Sequence, residues 1–235
     1  MKEFIRMLGE LKQGKEPLPM AAHEKVLKRY GVSRIHLARE LASQVDKGTF
    51  TWEKFGGTHP KEAGNRLCAQ MHIEMLENAW SGSTLSVEKK TFPTDPLDKY
   101  CYSKGRFLSP SRATFSEGWK FSEPDWNSLD GGKRKRYLER PLLHGHSAGK
   151  PFRLKFKGRA IGAFVVAGPD AGVIEYLIDG KRKGQVDLFH RYSKGLHYPR
   201  SVIFAHDLSE GSHEIEITIK AGKRSACRIL EFCIN

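Results

Sequence analysis

The sequence predicts an incomplete α/β segment, mostly helical in the part present, followed by an all-β sandwich of jelly-roll type. In residues 1–80 apolar side chains recur at helical spacing, whereas in residues 100–235 they alternate at the two-residue period of strands. Residues 81–99, between them, are rich in Ser, Thr and Pro and have no such period. We therefore expect two domains joined by a linker.

Four amphipathic helices are expected in the first segment. Three apolar stripes stop at Gly14, Gly31 and Gly48, and glycine commonly follows a helix C-terminus. A fourth stripe runs from about Lys61 to Trp80, and Val32 to Leu37 is a short strand candidate. One strand cannot satisfy its own backbone groups, so either the helices form a small bundle or the rest of a sheet lies outside this chain. We favour the second.

Strands are expected throughout the second segment. The apolar runs that predict them are Phe152 to Phe156, Ile161 to Ala167, Ile174 to Ile178, His213 to Ile219 and Leu230 to Ile234. Asp179-Gly180 is typical of a tight hairpin turn. Four large aromatic residues pack into cores by default and are also candidates for stacking on sugar rings: Trp119, Trp126, Tyr192 and Tyr198.

Composition narrows the classes of function. The 235 residues have a net charge of +13, which suits an acidic polysaccharide or a nucleic acid as partner. The basic run from Lys133 to Arg136 lies beside two glycines and is interpreted as a solvated loop, and because no nucleic-acid-binding motif accompanies it, nucleic acid ranks last. No apolar run reaches the ~20 residues of a membrane span. No cofactor is expected.

A metal site is not expected either, and any disulfide would need partners other than Cys227 with Cys233. Cys227 and Cys233 lie six residues apart in one predicted strand, hence ~20 Å apart, which is beyond disulfide reach. No Cys-x-x-Cys pair occurs, and His144 and His146 form a His-x-His pair without an evident third ligand. We predict no metal.

The feature with the clearest chemistry is the loop Phe55-Gly56-Gly57-Thr58-His59-Pro60, followed by Gly64 and the fourth helix. A histidine on a glycine-rich loop before a helix is free to point into a cleft. Proline suits the first helical turn, where its missing N–H is harmless. Gly64 would let the helix lie close to a neighbouring backbone.

This loop resembles that of the SGNH (GDSL-type) hydrolase superfamily, in which a His-Pro loop near the domain's C-terminus supplies the catalytic histidine. The runs Ala21 to Glu24 and Tyr30 to Glu40 agree with a bacterial branch of that superfamily, which carries an extra C-terminal β-domain. Within the β-domain, Phe164 to Gly172 and Ile178 to Gly180 are similar to recurrent segments of the branch. The resemblance covers most of the chain.

The resemblance implies a serine esterase acting on an acylated carbohydrate or another ester. His59 would be the general base that takes the proton of a serine hydroxyl and returns it to the leaving alcohol. The family commonly has an orienting aspartate three residues before this histidine. Gly56 stands there, which leaves Glu53 or Asp46 as candidates.

A second departure concerns the nucleophile. No Gly-Asp-Ser block and no Gly-x-Asn-Asp block occurs in the sequence, so we expect the serine to lie upstream of Met1. Ser33 and Ser43 have no such context, and Asp187-x-x-His190 lacks the Gly and Pro surroundings of the family loop. If an upstream signal precedes the full-length protein, it would act outside the cytoplasm. The alternative is a non-catalytic β-sandwich module that binds a polyanionic glycan.

Overall fold

A computed structural model describes residues 2–82, 89, 91–115 and 117–235, with backbone alone for residues 2–4. The part of the expected linker at residues 83–88 and 90 lies outside the described residues. The chain divides into two compact units, Met1–Lys99 and Tyr100–Asn235, which we call the helical unit and the β unit. None of the described helices is long and apolar enough to cross a bilayer.

In its described residues, the helical unit has five helices: α1 (Lys2–Lys12), α2 (Leu18–Tyr30), α3 (Leu37–Asp46), α4 (Trp52–Phe55) and α5 (Glu62–Trp80). The four helices expected from the sequence are confirmed, and α4 is an addition too short to show a period. Gly31 ends α2 in the left-handed conformation, with its N–H bonded to carbonyl groups of the last turn. This conformation costs glycine little because it has no Cβ.

The expected strand at Val32 to Leu37 is wrong. Residues 32–36 are irregular, and Leu37 is already the first residue of α3. The segment is held instead by polar contacts, because the Arg34 Nε lies 2.6 Å from the Glu24 carboxylate and donates to His36 Nε2 over 3.1 Å. The described part of the helical unit contains no strand with which it could pair.

The helices leave much of their apolar surface uncovered. Among the described residues of the helical unit, the buried apolar side chains are Pro17, Leu41, Ala42 and Phe55. By contrast, Ile73 is 50% exposed and Trp80 is 65% exposed, both on α5. No residue of α2 is buried. The apolar stripes that predicted the helices therefore pack against few other apolar side chains within the described part of this unit.

The β unit is a sandwich of two antiparallel sheets. The predicted sandwich is therefore confirmed, whereas its assignment to the jelly-roll type stays a prediction. Its strands are β1 (Arg106–Leu108), β2 (Trp119–Ser122), β3 (Leu142–Gly145), β4 (Phe152–Lys157), β5 (Ile161–Ala167), β6 (Val173–Ile178), β7 (Arg182–Asp187), β8 (Tyr198–Ala205), β9 (Ser212–Ile219) and β10 (Cys227–Ile234). One sheet has the order β2-β3-β10-β5-β8, with β1 beside β10. The other has the order β4-β9-β6-β7.

The main core lies between the two sheets. Phe152, Leu154 and Phe156 alternate with exposed residues along β4 and are buried, as predicted. The burial of β10 is more extensive, since Cys227–Leu230 are buried on both faces. Leu230 belongs to a second cluster with Trp126 and Tyr137, which covers the outer face of the larger sheet.

The predicted hairpin at Asp179-Gly180 is confirmed. Both residues have positive φ, 53° and 66°, and the Lys181 N–H donates to the Ile178 carbonyl over 3.0 Å. This turn joins β6 to β7, so that Val173 pairs with Asp187 at the far end of the ladder. The turn thus sets the register between β6 and β7 in the smaller sheet.

Candidate functional site

The loop that carries His59 is built by α4 and two glycines. Thr51 caps α4 by accepting a hydrogen bond from the Lys54 N–H over 3.1 Å, and Phe55 at its end is buried. Gly56 then takes φ +108°, and a Cβ placed there would lie 2.5 Å from the His59 carbonyl oxygen. A side chain at this position would therefore clash with the backbone of the loop.

Gly64 brings α5 against the loop, as the sequence predicted. A Cβ at Gly64 would lie 2.4 Å from the Phe55 carbonyl oxygen and 3.1 Å from the Pro60 Cβ. The same Phe55 carbonyl accepts the Lys61 N–H over 2.8 Å. Because α5 begins at Glu62, Pro60 lies before the helix rather than in its first turn. The loop is thus closed tightly at its base.

His59 itself lies on the surface of the helical unit. Its side chain is exposed, and within the described residues its ring makes no hydrogen bond. Asp46 lies 3.2 Å from Lys12 Nζ, so its carboxylate is already engaged in an ion pair. Glu53 is exposed on α4 and has no ion pair in the described part of the chain. The structure brings neither acid into hydrogen-bond contact with the imidazole.

The aromatic candidates of the β unit fall into two groups. Trp119 and Trp126 are 5% and 7% exposed, and the Trp119 Nε1–H donates to the Lys150 carbonyl over 3.0 Å, so both tryptophans pack in the interior. Tyr192 is 52% exposed and lies next to Tyr198, with ring centroids 5.3 Å apart. Of these four candidates, the two tyrosines therefore present aromatic surface to solvent.

The two histidines of the His-x-His pair lie in a polar groove beside β2. His144 Nε2 is 3.0 Å from the Ser122 hydroxyl, and His144 Nδ1 is 3.4 Å from His146 Nε2. Burial and the charges of His146, Arg228 and Lys120 lower the pKa of His144 to about 4. Among the described residues, no group of three His, Cys, Asp or Glu side chains comes together as a metal site.

Sequence analysis missed a buried ion pair near this groove. Arg228 on β10 is 1% exposed and donates to both Asp170 carboxylate oxygens, over 2.9 and 2.6 Å. Burial opposes the charge of Asp170, but the hydrogen bonds and the positive charge of Arg228 together outweigh it, and the pKa of Asp170 is lowered. A charged residue inside the apolar run Cys227 to Leu230 was the signal that could have found it.

The Asp187-x-x-His190 sequence does not form an acid–histidine pair. The Asp187 carboxylate accepts the Phe189 N–H over 2.9 Å and binds Arg224 over 2.9 Å. In the described structure it makes no hydrogen bond to His190. The ring of His190 instead stacks on Tyr198, with centroids 4.7 Å apart.

No protein-family model matches the sequence, and the search of curated proteins gives no match. Among solved structures, the chain is similar to a two-domain esterase (CEX) active on acetylated mannans and co-crystallized with mannopentaose. The TM-score is 0.66 at 16% identity, over 90% of this chain and 57% of that chain. A second structure of a two-domain esterase (CEX) active on acetylated mannans gives a TM-score of 0.65 at 15% identity, over 95% of this chain and 60% of that chain.

A family 35 carbohydrate-binding module from Cellvibrio japonicus Abf62 gives a TM-score of 0.39 at 10% identity, over 55% of this chain and 91% of that chain. The likeness to the two esterase structures extends over both units and, at these identities, concerns the fold. This chain spans less than two thirds of the length of either esterase.

Proposed function

We propose that this chain is the C-terminal portion of an SGNH-type ester hydrolase that removes acyl groups from carbohydrate, with His59 as its general base. The observation that carries the proposal is the conjunction of two features. First, the fold of this chain is similar, over 90% of its length, to that of a two-domain esterase active on acetylated mannans. Within that fold, the histidine of the His-Pro loop is exposed on a tightly closed glycine turn.

The chemistry assigned to His59 is proton transfer. Its imidazole takes the proton from a serine hydroxyl as the oxygen attacks the ester carbonyl, and returns it to the leaving alcohol. Both steps need a ring that a hydroxyl can reach, and the exposed side chain meets that need. The close contacts of Gly56 and Gly64 favour one loop conformation and reduce the cost of positioning the ring.

For the orienting acid, the contacts favour Glu53 over Asp46. Asp46 is held by Lys12, whereas Glu53 lies on α4, directly before the glycine turn. An acid that accepts the other ring N–H would fix the tautomer of His59. Glu53 would have to turn toward the loop to do so.

The nucleophile is proposed to belong to a segment that packs on the helical unit. Within the described residues, neither Ser33 nor Ser43 makes a hydrogen bond to His59. The exposed apolar side chains of α2 and α5, such as Val26, Ile73 and Trp80, offer a surface for that segment to cover. Strands placed there would complete an α/β layer.

The test is hydrolysis of acetylated mannan and of a chromogenic acetyl ester, comparing this chain with an N-terminally extended one. We expect negligible turnover from the short chain and a clear rate from the long one. His59→Ala should lower the rate of the long chain by about 10²- to 10⁴-fold, the usual contribution of general acid–base catalysis. His206→Ala, at an exposed position between β8 and β9, is the matched control and should leave the rate unchanged. A long chain that keeps its rate without His59 would exclude the proposed role.

Binding of a polyanionic glycan by the β unit is the second candidate, and a basic groove favours it. A groove of about 600 Å³ between the ends of β4 and β9 is lined by Arg106, Arg112, Lys155 and Lys157, with Asp179 and Glu214 as its acids. Lys155 and Lys157 are exposed and form no ion pair in the described structure. Such a surface attracts carboxylated chains in a salt-dependent manner.

Affinity electrophoresis in polygalacturonate tests this second candidate. The double variant Lys155→Ala/Lys157→Ala should migrate with little retardation. The double variant Lys181→Ala/Lys183→Ala removes the same charge from exposed positions of the same unit and should remain retarded. Equal behaviour of the two variants would show that net charge, not the groove, causes retention.

A further inference from the structure

The connection between β7 and β8, together with the first residue of β8, carries three aromatic rings in mutual contact. His190 stacks on Tyr198 with an interplanar angle of 17° and centroids 4.7 Å apart. Tyr192 lies 5.1 Å from His190 and 5.3 Å from Tyr198, tilted by about 50° against both. We call these three residues the aromatic platform.

The platform is held on a rigid loop. Residues Arg191–Lys194 form a short 3-10 helix whose capping box joins the His190 side chain and Ser193. The Ser193 side chain is fully buried, and its hydroxyl donates to the Ala167 carbonyl at the end of β5 over 2.8 Å. A ligand that binds here need not order the loop first, and this lowers the entropic cost of binding.

Tyr192 is the most exposed member of the platform. Its side chain is 52% exposed although two rings and the Arg191 guanidinium lie close to it. Arg191 is exposed, donates to the Tyr192 hydroxyl over 3.2 Å, and has no ion pair in the described part of the chain. The surface thus combines an open aromatic ring with a donor group that carries no counter-charge.

This combination fits a sugar ring better than it fits an aliphatic partner. The face of a pyranose carries C–H groups that pack on an aromatic ring, and its rim carries oxygens that accept from a guanidinium. The neighbouring Arg200 is held at Nη1 by the carbonyl oxygens of residues 187–189. Arg191 and Lys194, the two cations of the 3-10 helix, are too few to form the row of charges that follows a phosphate backbone.

We propose that the aromatic platform binds a neutral saccharide, with one pyranose ring on Tyr192 and its oxygens on Arg191. The proposal rests on the proposed function for its class of ligand. Saccharide binding requires no ester hydrolysis. Absence of esterase activity would therefore not contradict binding at the platform, and a failed binding test would not contradict the proposed hydrolase.

The test is binding of mannopentaose to the full chain by titration calorimetry and by saturation-transfer NMR. We expect binding in the micromolar to millimolar range. Tyr192→Ala should weaken it about tenfold or more, as truncation of a central aromatic contact does. Tyr192→Phe keeps the ring and should bind within about threefold of the unsubstituted chain. Tyr102→Ala removes a tyrosine that is 55% exposed elsewhere in the β unit and should change nothing.

Three results would overturn the proposal. The unsubstituted chain could fail to bind mannopentaose, cellohexaose and xylohexaose at millimolar concentration. Tyr192→Ala could bind as well as the unsubstituted chain, or no worse than Tyr102→Ala. A thymidine oligonucleotide could bind in a Tyr192-dependent manner while the sugars do not, which would assign the rings to base stacking. Circular dichroism of each variant separates loss of binding from loss of fold.

Discussion

A buried histidine among positive charges stays neutral at pH values where the unfolded chain would protonate it, and His144 is in this position. Its side chain is 7% exposed, and burial together with His146, Arg228 and Lys120 lowers its pKa to about 4. Between about pH 6.5 and pH 4 the unfolded state therefore binds a proton that the folded state does not. The contribution of His144 to the free energy of unfolding therefore falls as the pH drops through this window.

His144→Gln should remove this part of the pH dependence. Whether or not the glutamine amide keeps the hydrogen bond to Ser122, the stability of the variant should fall less steeply on acidification. The difference in slope should approach about 1.4 kcal/mol per pH unit, the value for one proton. Urea unfolding followed at closely spaced pH values checks this. His23→Gln, at an exposed helix position, should follow the unsubstituted chain, and a His144→Gln profile parallel to both would contradict the assignment.

At the scale of single elements, sequence reasoning succeeded where a pattern is local. The helix α5 was found from its apolar stripe at helical spacing, and the strand β5 from its continuous apolar run. Residues 32–36 were expected to be a strand, but a strand depends on a partner that an apolar pattern cannot supply. The strand β8 was missed because Pro199 interrupts its start, and its alternation begins only at Val202.

Two glycines in helices should respond to alanine in opposite directions. At Gly64 a Cβ would meet the Phe55 carbonyl at 2.4 Å, so Gly64→Ala should push α5 from the His59 loop and destabilise the helical unit by about 1–3 kcal/mol. At Gly9 on α1 a Cβ would meet nothing within 4 Å, so Gly9→Ala should stabilise by up to about 1 kcal/mol through helix propensity. Thermal unfolding of both variants checks the pair. Equal effects would mean that the close approach of Gly64 is not maintained in solution.

At the scale of the whole molecule, sequence reasoning reached the candidate loop but not the sites assembled from distant segments. His59, Gly56 and Gly64 lie within nine residues, so their relation is visible in the sequence. The ion pair of Asp170 with Arg228 joins residues 58 positions apart, and its geometry depends on how the connection between β5 and β6 packs beside β10. Likewise, Tyr192 and Trp126 differ in exposure for reasons that only the folded chain contains.

The two units also differ in how much apolar surface each buries, and this should divide the unfolding of the chain. The β unit has a continuous core of residues with almost no exposure, whereas the helices leave Trp80 and Ile73 open to solvent. Burial of apolar area is the main favourable term in folding, so the helical unit should unfold at the lower temperature.

Calorimetry should therefore show two transitions that single substitutions can assign. Leu41→Ala, in the small core of the helical unit, should lower the first transition, and Phe152→Ala, in the sandwich core, should lower the second; each costs about 2–5 kcal/mol. A dye that binds exposed apolar surface should bind the unsubstituted chain and lose binding in an N-terminally extended chain, because under the proposed function the added segment would cover α2 and α5. One transition that both substitutions shift together would contradict this, as would an extended chain that binds the dye as strongly.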